Sequence, residues 1–130
     1  MKEIVSGQRV ADWIAERTKH PIETFNQAFG LEDDGRLVAG LAFVGWTGPD
    51  VCVEVASNRN GILDRDFLRL LAEYAFEQLG CARVSMMTEQ ARVARLSEWM
   101  GFRFEGVKRN GYGKGRDARM YGLLQEDWRF

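Results

Sequence analysis

Histidine occurs once in this chain, at His20, and cysteine twice, at Cys52 and Cys81. One imidazole and no Cys-x-x-Cys pair fall short of the ligand set of a zinc site, so no metal is expected. Two thiols this far apart are no disulfide framework either. They read as buried structural thiols in a reducing compartment. No apolar run approaches the length of a transmembrane helix, so no membrane partner is expected. The opening stretch MKEIVSGQRVADW has no apolar run of the kind a secretory leader needs, and the expected location is the cytoplasm. The formal net charge is -1, which gives no overall attraction to nucleic acid or anionic lipid. With only two prolines, turning falls to glycine, Asn and Asp.

What is present describes an ordinary globular protein. Hydrophobic residues make up 45% and charged residues 28% of 130 positions, so one domain over residues 1–130 is expected. A chain of this length buries roughly two thirds of its unfolded surface and needs no covalent staple. Ser6 can cap a helix that carries Val10, Trp13 and Ile14 on one face, and Pro21 closes that region. Three strands then read as an antiparallel meander: Phe25 to Leu31, Leu37 to Trp46 and Val51 to Ala56. Asp33-Asp34-Gly35-Arg36 is the first hairpin turn, because Asp and Gly tolerate positive φ.

After Ser57 the period changes. Leu63, Phe67, Leu70, Leu71, Tyr74 and Leu79 mark one face of a helix that Gly80 can end. A strand follows from Ala82 to Met87. Thr88 can cap a second helix that stops at Gly101. Phe102 to Lys108 and Arg119 to Leu124 read as late strands, with a glycine-rich loop from Asn110 to Arg116 between them. The strand–helix–strand step across residues 51–87 predicts a parallel crossover, so the fold class is a mixed α/β sheet with helices on its faces.

Two stretches carry a family resemblance. Glu89-Gln90-Ala91-Arg92-Val93-Ala94-Arg95-Leu96-Ser97-Glu98-Trp99-Met100-Gly101-Phe102 resembles the E-N-x-x-x-x-x-L-Y-E-K-x-G-F signature of the GNAT acetyltransferases, and Phe104-Glu105-Gly106 resembles the strand after it. Met120-Tyr121-Gly122-Leu123-Leu124 is similar to the final strand of the branch that includes the ribosomal-protein N-acetyltransferases. The resemblance implies a mostly antiparallel sheet with helices on both faces and a splayed central cleft. It implies acetyl-CoA as co-substrate and a primary amine as acceptor: a protein N-terminus, a lysine or a small amine. Many relatives form dimers, so a homodimer is admitted.

Carried over residue by residue, the resemblance implies a pyrophosphate loop at Arg59, Asn60, Gly61, Ile62, Leu63, Asp64 and Arg65. The chemistry needs backbone N–H groups aimed at phosphate from a helix N-terminus. Arg59 matches the family's loop, whereas Ile62 and Asp64 stand where it has glycines. Asp64 would repel phosphate but serves well as a helix cap, so a capped helix without ligand is the competing reading. Ser97 aligns with the family's tyrosine acid and is a much weaker acid. A thiolate whose conjugate acid has a pKa of about 8–9 can leave without strong acid help.

Acyl transfer to an amine needs a proton acceptor, donors for the developing oxyanion and a held donor group. Glu54 is the candidate base: a single acidic residue in an apolar strand just before the loop, on the opposite side from Val51, Val53 and Val55. Its alternative is a solvated strand residue. The resemblance implies that Val55 and Ala56 offer backbone groups to the thioester and pantetheine, and that Gln90 bonds the pantetheine arm. His20, just before Pro21, reads as a surface loop residue. The Lys/Arg excess over residues 89–120 reads as a solvated face or an anion-attracting rim, with a nucleic-acid stripe as the alternative. A GNAT fold that binds CoA without efficient catalysis is the other functional alternative.

Overall fold

The structure, a computed structural model, describes residues 1–58 and 64–130. Strand β1 spans Lys2–Ser6, helix α1 Gln8–Thr18, and strands β2, β3 and β4 span Gln27–Asp33, Arg36–Val44 and Asp50–Ser57. Helix α2 spans Arg65–Ala72 and runs on as a π-helical segment, Glu73–Gln78. Strand β5 is Arg83–Thr88, helix α3 Ala91–Met100, and β6 and β7 are Arg103–Gly113 and Arg116–Leu123. The seven strands form one sheet in the order β1-β2-β3-β4-β5-β7-β6, antiparallel everywhere except between β4 and β5.

The parallel crossover is where the period change placed it, and the element order matches the expectation with one addition. β1 lies outside that order: Lys2, Glu3, Ile4 and Ser6 are exposed, so its residues carry no buried-face alternation to read. Ser6 belongs to this strand and makes no cap; Gly7 occupies the cap position of α1. Asp34 and Gly35 both take positive φ in the β2–β3 turn, as their chemistry predicts. Gly101, at φ 114, ends α3 in the left-handed conformation. Thr88 accepts the Gln90 N–H at 3.0 Å, one residue ahead of the helix it was expected to cap. Residues 110–116 are no open loop. β6 continues through Gly113, β7 starts at Arg116, and a shift in register between Lys108 and Gly113 absorbs the glycines.

The two sheet faces are packed differently. On one, Val10, Ala11 and Ile14 of α1 lie over Ala28, Ala42 and Ala56. The helix sits so close that a Cβ on Gly40 would fall 2.7 Å from Ile14. On the other, Val51, Val53, Val55, Val84 and Met86 meet Phe67, Leu68 and Leu71 of α2 and Val93, Ala94 and Met100 of α3 in the main core.

Candidate active site

Parallel strands β4 and β5 pair for only three residues: Asp50 with Arg83, Val51 with Val84 and Cys52 with Ser85. Both strands continue, to Ser57 and Thr88, without pairing to each other. β4 stays bonded to β3 and β5 to β7, so the sheet forks. Beyond the fork the facing strand edges carry backbone N–H and C=O groups that have lost their ladder partners. Such groups need another partner or water.

Glu54 stands two residues past the last pair on β4, and Met87 two residues past it on β5. Glu54 is buried, and its carboxylate lies 3.0 Å from Nδ1 of His20. Burial pushes its carboxyl above the ordinary range, with the nearby His20 opposing the shift. A raised carboxyl is a better proton acceptor near neutral pH than an exposed one. Tyr112, reaching in from the far end of β6, donates its hydroxyl to the Met87 carbonyl at 2.9 Å. Its ring meets His20 edge-on with centroids 5.4 Å apart. Tyr112 thereby satisfies one of the carbonyls that the fork exposes. Burial, then the charges of Glu54 and Glu89, hold its phenol well above its usual value, so it stays protonated.

Glu54 is therefore no solvated strand residue, and His20 is no free surface group. The contact depends on α1 ending at Thr18, with Lys19 in the left-handed conformation, so that the next residue turns back over the sheet. A lone histidine before proline carries no local sign of that packing. The signal that could have found it is chemical: a buried carboxylate calls for a polar partner.

On the face shared by Glu54 and His20, a groove of about 370 Å³ opens between the two halves of the sheet. Val44, Cys52, Met87 and Met120 line it, and Arg83 and Glu105 stand at its other end. There Arg83 donates to both oxygens of Glu105, at 2.6 and 3.2 Å. Ser85 bridges Arg83 to Asp50. The pair lies flat across Gly122, where a Cβ would collide with both side chains. Cys52 is half-buried, and burial, then Asp50 and Glu54, raise its thiol pKa, so it is a protonated thiol.

The opposite end of the fork is lined by Val55, Thr88, Gln90 and Val93 around a cavity of about 10 Å³. Gln90 is the exposed cap residue of α3. Ala56 is buried beneath α1. Asp64 caps α2 by accepting the Phe67 N–H at 2.9 Å, and Arg65 is exposed beside the Phe130 ring. Arg59, Asn60, Gly61, Ile62 and Leu63 lie outside the described residues. Ser97 is fully buried and donates to the Ala94 carbonyl at 2.7 Å. It sits one helical turn beyond Val93, its hydroxyl turned back on its own helix, and offers no proton to the fork.

Several residues of the basic stretch are engaged within the chain. Arg116 pairs with Glu89, Arg103 with Asp127, and Arg92 donates to the Ser57 carbonyl. A broad depression of about 1060 Å³ lies between α1 and the β2–β3 turn, away from the fork. Among the described residues no helix is long and apolar enough to cross a membrane.

No protein-family model and no curated protein matches the sequence. Solved structures do match it. A probable acetyltransferase aligns with 78% of this chain at 26% identity and a TM-score of 0.63. The chain spans about three fifths of that protein's length, at 62%. The spermidine/spermine N-acetyltransferase of Vibrio cholerae aligns with 97% of this chain and 96% of its own, at 15% identity and a TM-score of 0.69. The ribosomal-protein-S5-alanine acetyltransferase of Vibrio fischeri aligns with 99% and 96%, at 10% identity and a TM-score of 0.70. A seven-stranded sheet forked at its single parallel pair, and matched nearly end to end by two such enzymes, is the fold of the GNAT acetyltransferases, and this chain has it.

Proposed function

We propose that the chain is an N-acyltransferase that moves an acetyl group from acetyl-CoA to a primary amine. The observation that carries this reading is the pairing of an open strand fork with a buried carboxylate at its edge. The unpaired strand edges fit an extended, amide-bearing chain such as pantetheine, which would bond to backbone groups near Val55 and to Gln90. Acetyl-CoA would supply the activated acyl group; its diphosphate would fall to Arg59–Arg65, of which Asp64 and Arg65 are described.

Glu54 takes the proton from the acceptor amine. An amine is mostly ammonium at neutral pH, since its pKa is about 10, so a nearby acceptor raises the reactive fraction. His20 donates to one Glu54 oxygen and leaves the other for the amine. The same contact keeps the carboxylate from turning into the core. Ser97 gives the leaving thiolate no proton, because it is buried and its hydroxyl is already used.

The state of Ser97 also favours a second reading, a CoA-binding protein of this fold with slow turnover. Two measurements separate them. Titration with acetyl-CoA followed by melting temperature tests binding, because a ligand of the folded state stabilises by RT ln(1 + [L]/Kd). An unchanged melting temperature at saturating acetyl-CoA defeats both readings. Stabilisation without turnover on a panel of amines leaves the second.

A further inference from the structure

A side chain stands in the strand fork, and this inference rests on the acyl-transfer reading for the identity of what takes its place. Tyr112 comes in from β6, and its hydroxyl donates to the Met87 carbonyl at 2.9 Å. The hydroxyl stands in for a strand partner beyond the point where the β4–β5 ladder stops. The Tyr112 ring meets His20 edge-on, and the Arg116 guanidinium lies 5.8 Å from the ring centroid. With Tyr112 seated there, the cavity on the α3 side measures about 10 Å³. A single water needs about as much, on the order of 10–15 Å³. The groove on the other side measures about 370 Å³. Glu54, Met86 and Met87 line both spaces, so the way from one to the other runs past them, and Tyr112 shares the smaller space with them.

That way is the one an acetyl group has to travel. An arm that lies near Val55 and Gln90 and presents its thioester to an amine at Glu54 must pass the gap that Tyr112 fills. A cavity fit for one water does not admit such an arm, so the ring has to leave. The backbone that carries it is built to shift. Between the pairs Lys108–Ala118 and Gly113–Arg116, β6 holds four residues, 109 to 112, against one, Asp117, on β7. This slack lies outside the ladder, so moving it breaks no strand pairing. Asn110 at φ 56 and Gly113 at φ 136 flank Tyr112 with left-handed backbone. Asn110 is tied to Asp117 and to Gly115, and Arg116 to Glu89, so the hairpin stays anchored on either side of the ring. The Met87 carbonyl loses nothing by the exchange, since an amide N–H of the arm donates to it as the hydroxyl did.

We propose that Tyr112 is a displaceable stopper of the fork: its hydroxyl holds the Met87 carbonyl until the pantetheine arm of CoA replaces it and turns the ring out. The stopper makes part of the arm's binding energy go into opening the gap, so it weakens CoA binding while leaving the nucleotide end untouched.

The test uses fluorotyrosine at the three tyrosines, Tyr74, Tyr112 and Tyr121, read by fluorine NMR. The Tyr112 signal is the one missing from Tyr112→Phe. CoA should move that signal and make it more sensitive to broadening by a soluble nitroxide, with Tyr74 and Tyr121 unchanged. Adenosine 3′,5′-bisphosphate, which lacks the arm, should leave all three in place. Tyr112→Phe drops the hydroxyl and Tyr112→Ala clears the gap. The Phe variant should bind CoA about twofold to tenfold more tightly than wild type, and the Ala variant at least as tightly as the Phe variant. Affinity for adenosine 3′,5′-bisphosphate should not change in either. The proposal is overturned if CoA raises the melting temperature while the Tyr112 signal stays where it was, or if Tyr112→Phe binds CoA no more tightly than wild type. If CoA raises the melting temperature of neither wild type nor Tyr112→Ala, the acyl-transfer reading itself falls, and this inference with it.

Discussion

The face of the sheet that carries Glu54 is built in two halves. Over β2, β3 and the end of β4 the strands present Ala28, Gly40, Ala42 and Ala56, and α1 closes on them. Over β5, β7 and β6 the same face presents Arg83, Met87, Met120 and Glu105, and none of the helices described above covers it. Small side chains let a helix approach and exclude water. Long, jointed ones keep a surface open to a ligand. The fork runs along the boundary, so Glu54 has dry packing on one side and a solvent-accessible groove on the other. That position explains a carboxylate that is buried and still lines the groove.

The largest expected effect acts at the boundary. Glu54→Gln keeps the size and the bond to His20 but cannot take a proton. Turnover should fall about a hundredfold to ten-thousandfold, with acetyl-CoA affinity nearly unchanged. Steady-state kinetics over a pH series would show it, since the variant should gain activity steeply as rising pH neutralises the amine. A rate within a few-fold of wild type would end the assignment.

Next comes the covered half. Gly40→Leu would drive a side chain into Ile14 and should cost about 1–3 kcal/mol of stability, measured by urea unfolding. Met120→Ala, on the open half, should change stability by less than about 0.5 kcal/mol. Equal losses at the two sites would erase the contrast drawn above.

The third prediction concerns pH and stability. The Glu54 carboxyl is raised in the folded state. Its favourable contribution is therefore complete below the unfolded carboxylate value and is lost as pH rises through the folded one. Glu54→Gln removes that loss. The variant should melt higher than wild type at neutral pH, and the difference should shrink on acidification. A variant that melts lower at neutral pH would mean that the His20 contact outweighs burial.

The smallest effect belongs to the ion pair. Gly122→Ala must displace Arg83 and Glu105 from their flat seat. Both are partly exposed, so the loss should be no more than about 1 kcal/mol. Urea unfolding beside wild type reads it, and a loss well above that would mean more than a partly exposed ion pair.

Much of the fold was legible in local chemistry. Asp34-Gly35 announced a turn, Gly101 a helix end, and the alternation of Val51, Val53 and Val55 a strand with one face inward. Glu54 stood out because an acid in such a strand is unusual. What was illegible depended on distant packing. His20 reaches Glu54 across 34 positions, through the end of α1. The π-helical turn at Glu73–Gln78 buries Ala75 and Phe76, whereas a 3.6-residue period ran the apolar face through Leu71, Tyr74 and Leu79; the wider turn has no local signature in the sequence. The glycines near Tyr112 suggested a loop, whereas a register shift lets them stay in a hairpin and carry Tyr112 to the fork. Ser97 aligned with a catalytic position, but its buried hydroxyl bonds its own helix.

The state of Cys52 bears on the kinetic order of the proposed reaction. It lines the groove beside Glu54, and burial, then the charges of Asp50 and Glu54, keep its thiol protonated. A protonated thiol is a poor nucleophile, which argues against Cys52 as a resting place for the acetyl group. In the proposed reaction donor and acceptor are then held together before either product leaves. Double-reciprocal plots at several fixed amine concentrations should intersect rather than run parallel, and iodoacetamide should modify Cys52 slowly at neutral pH.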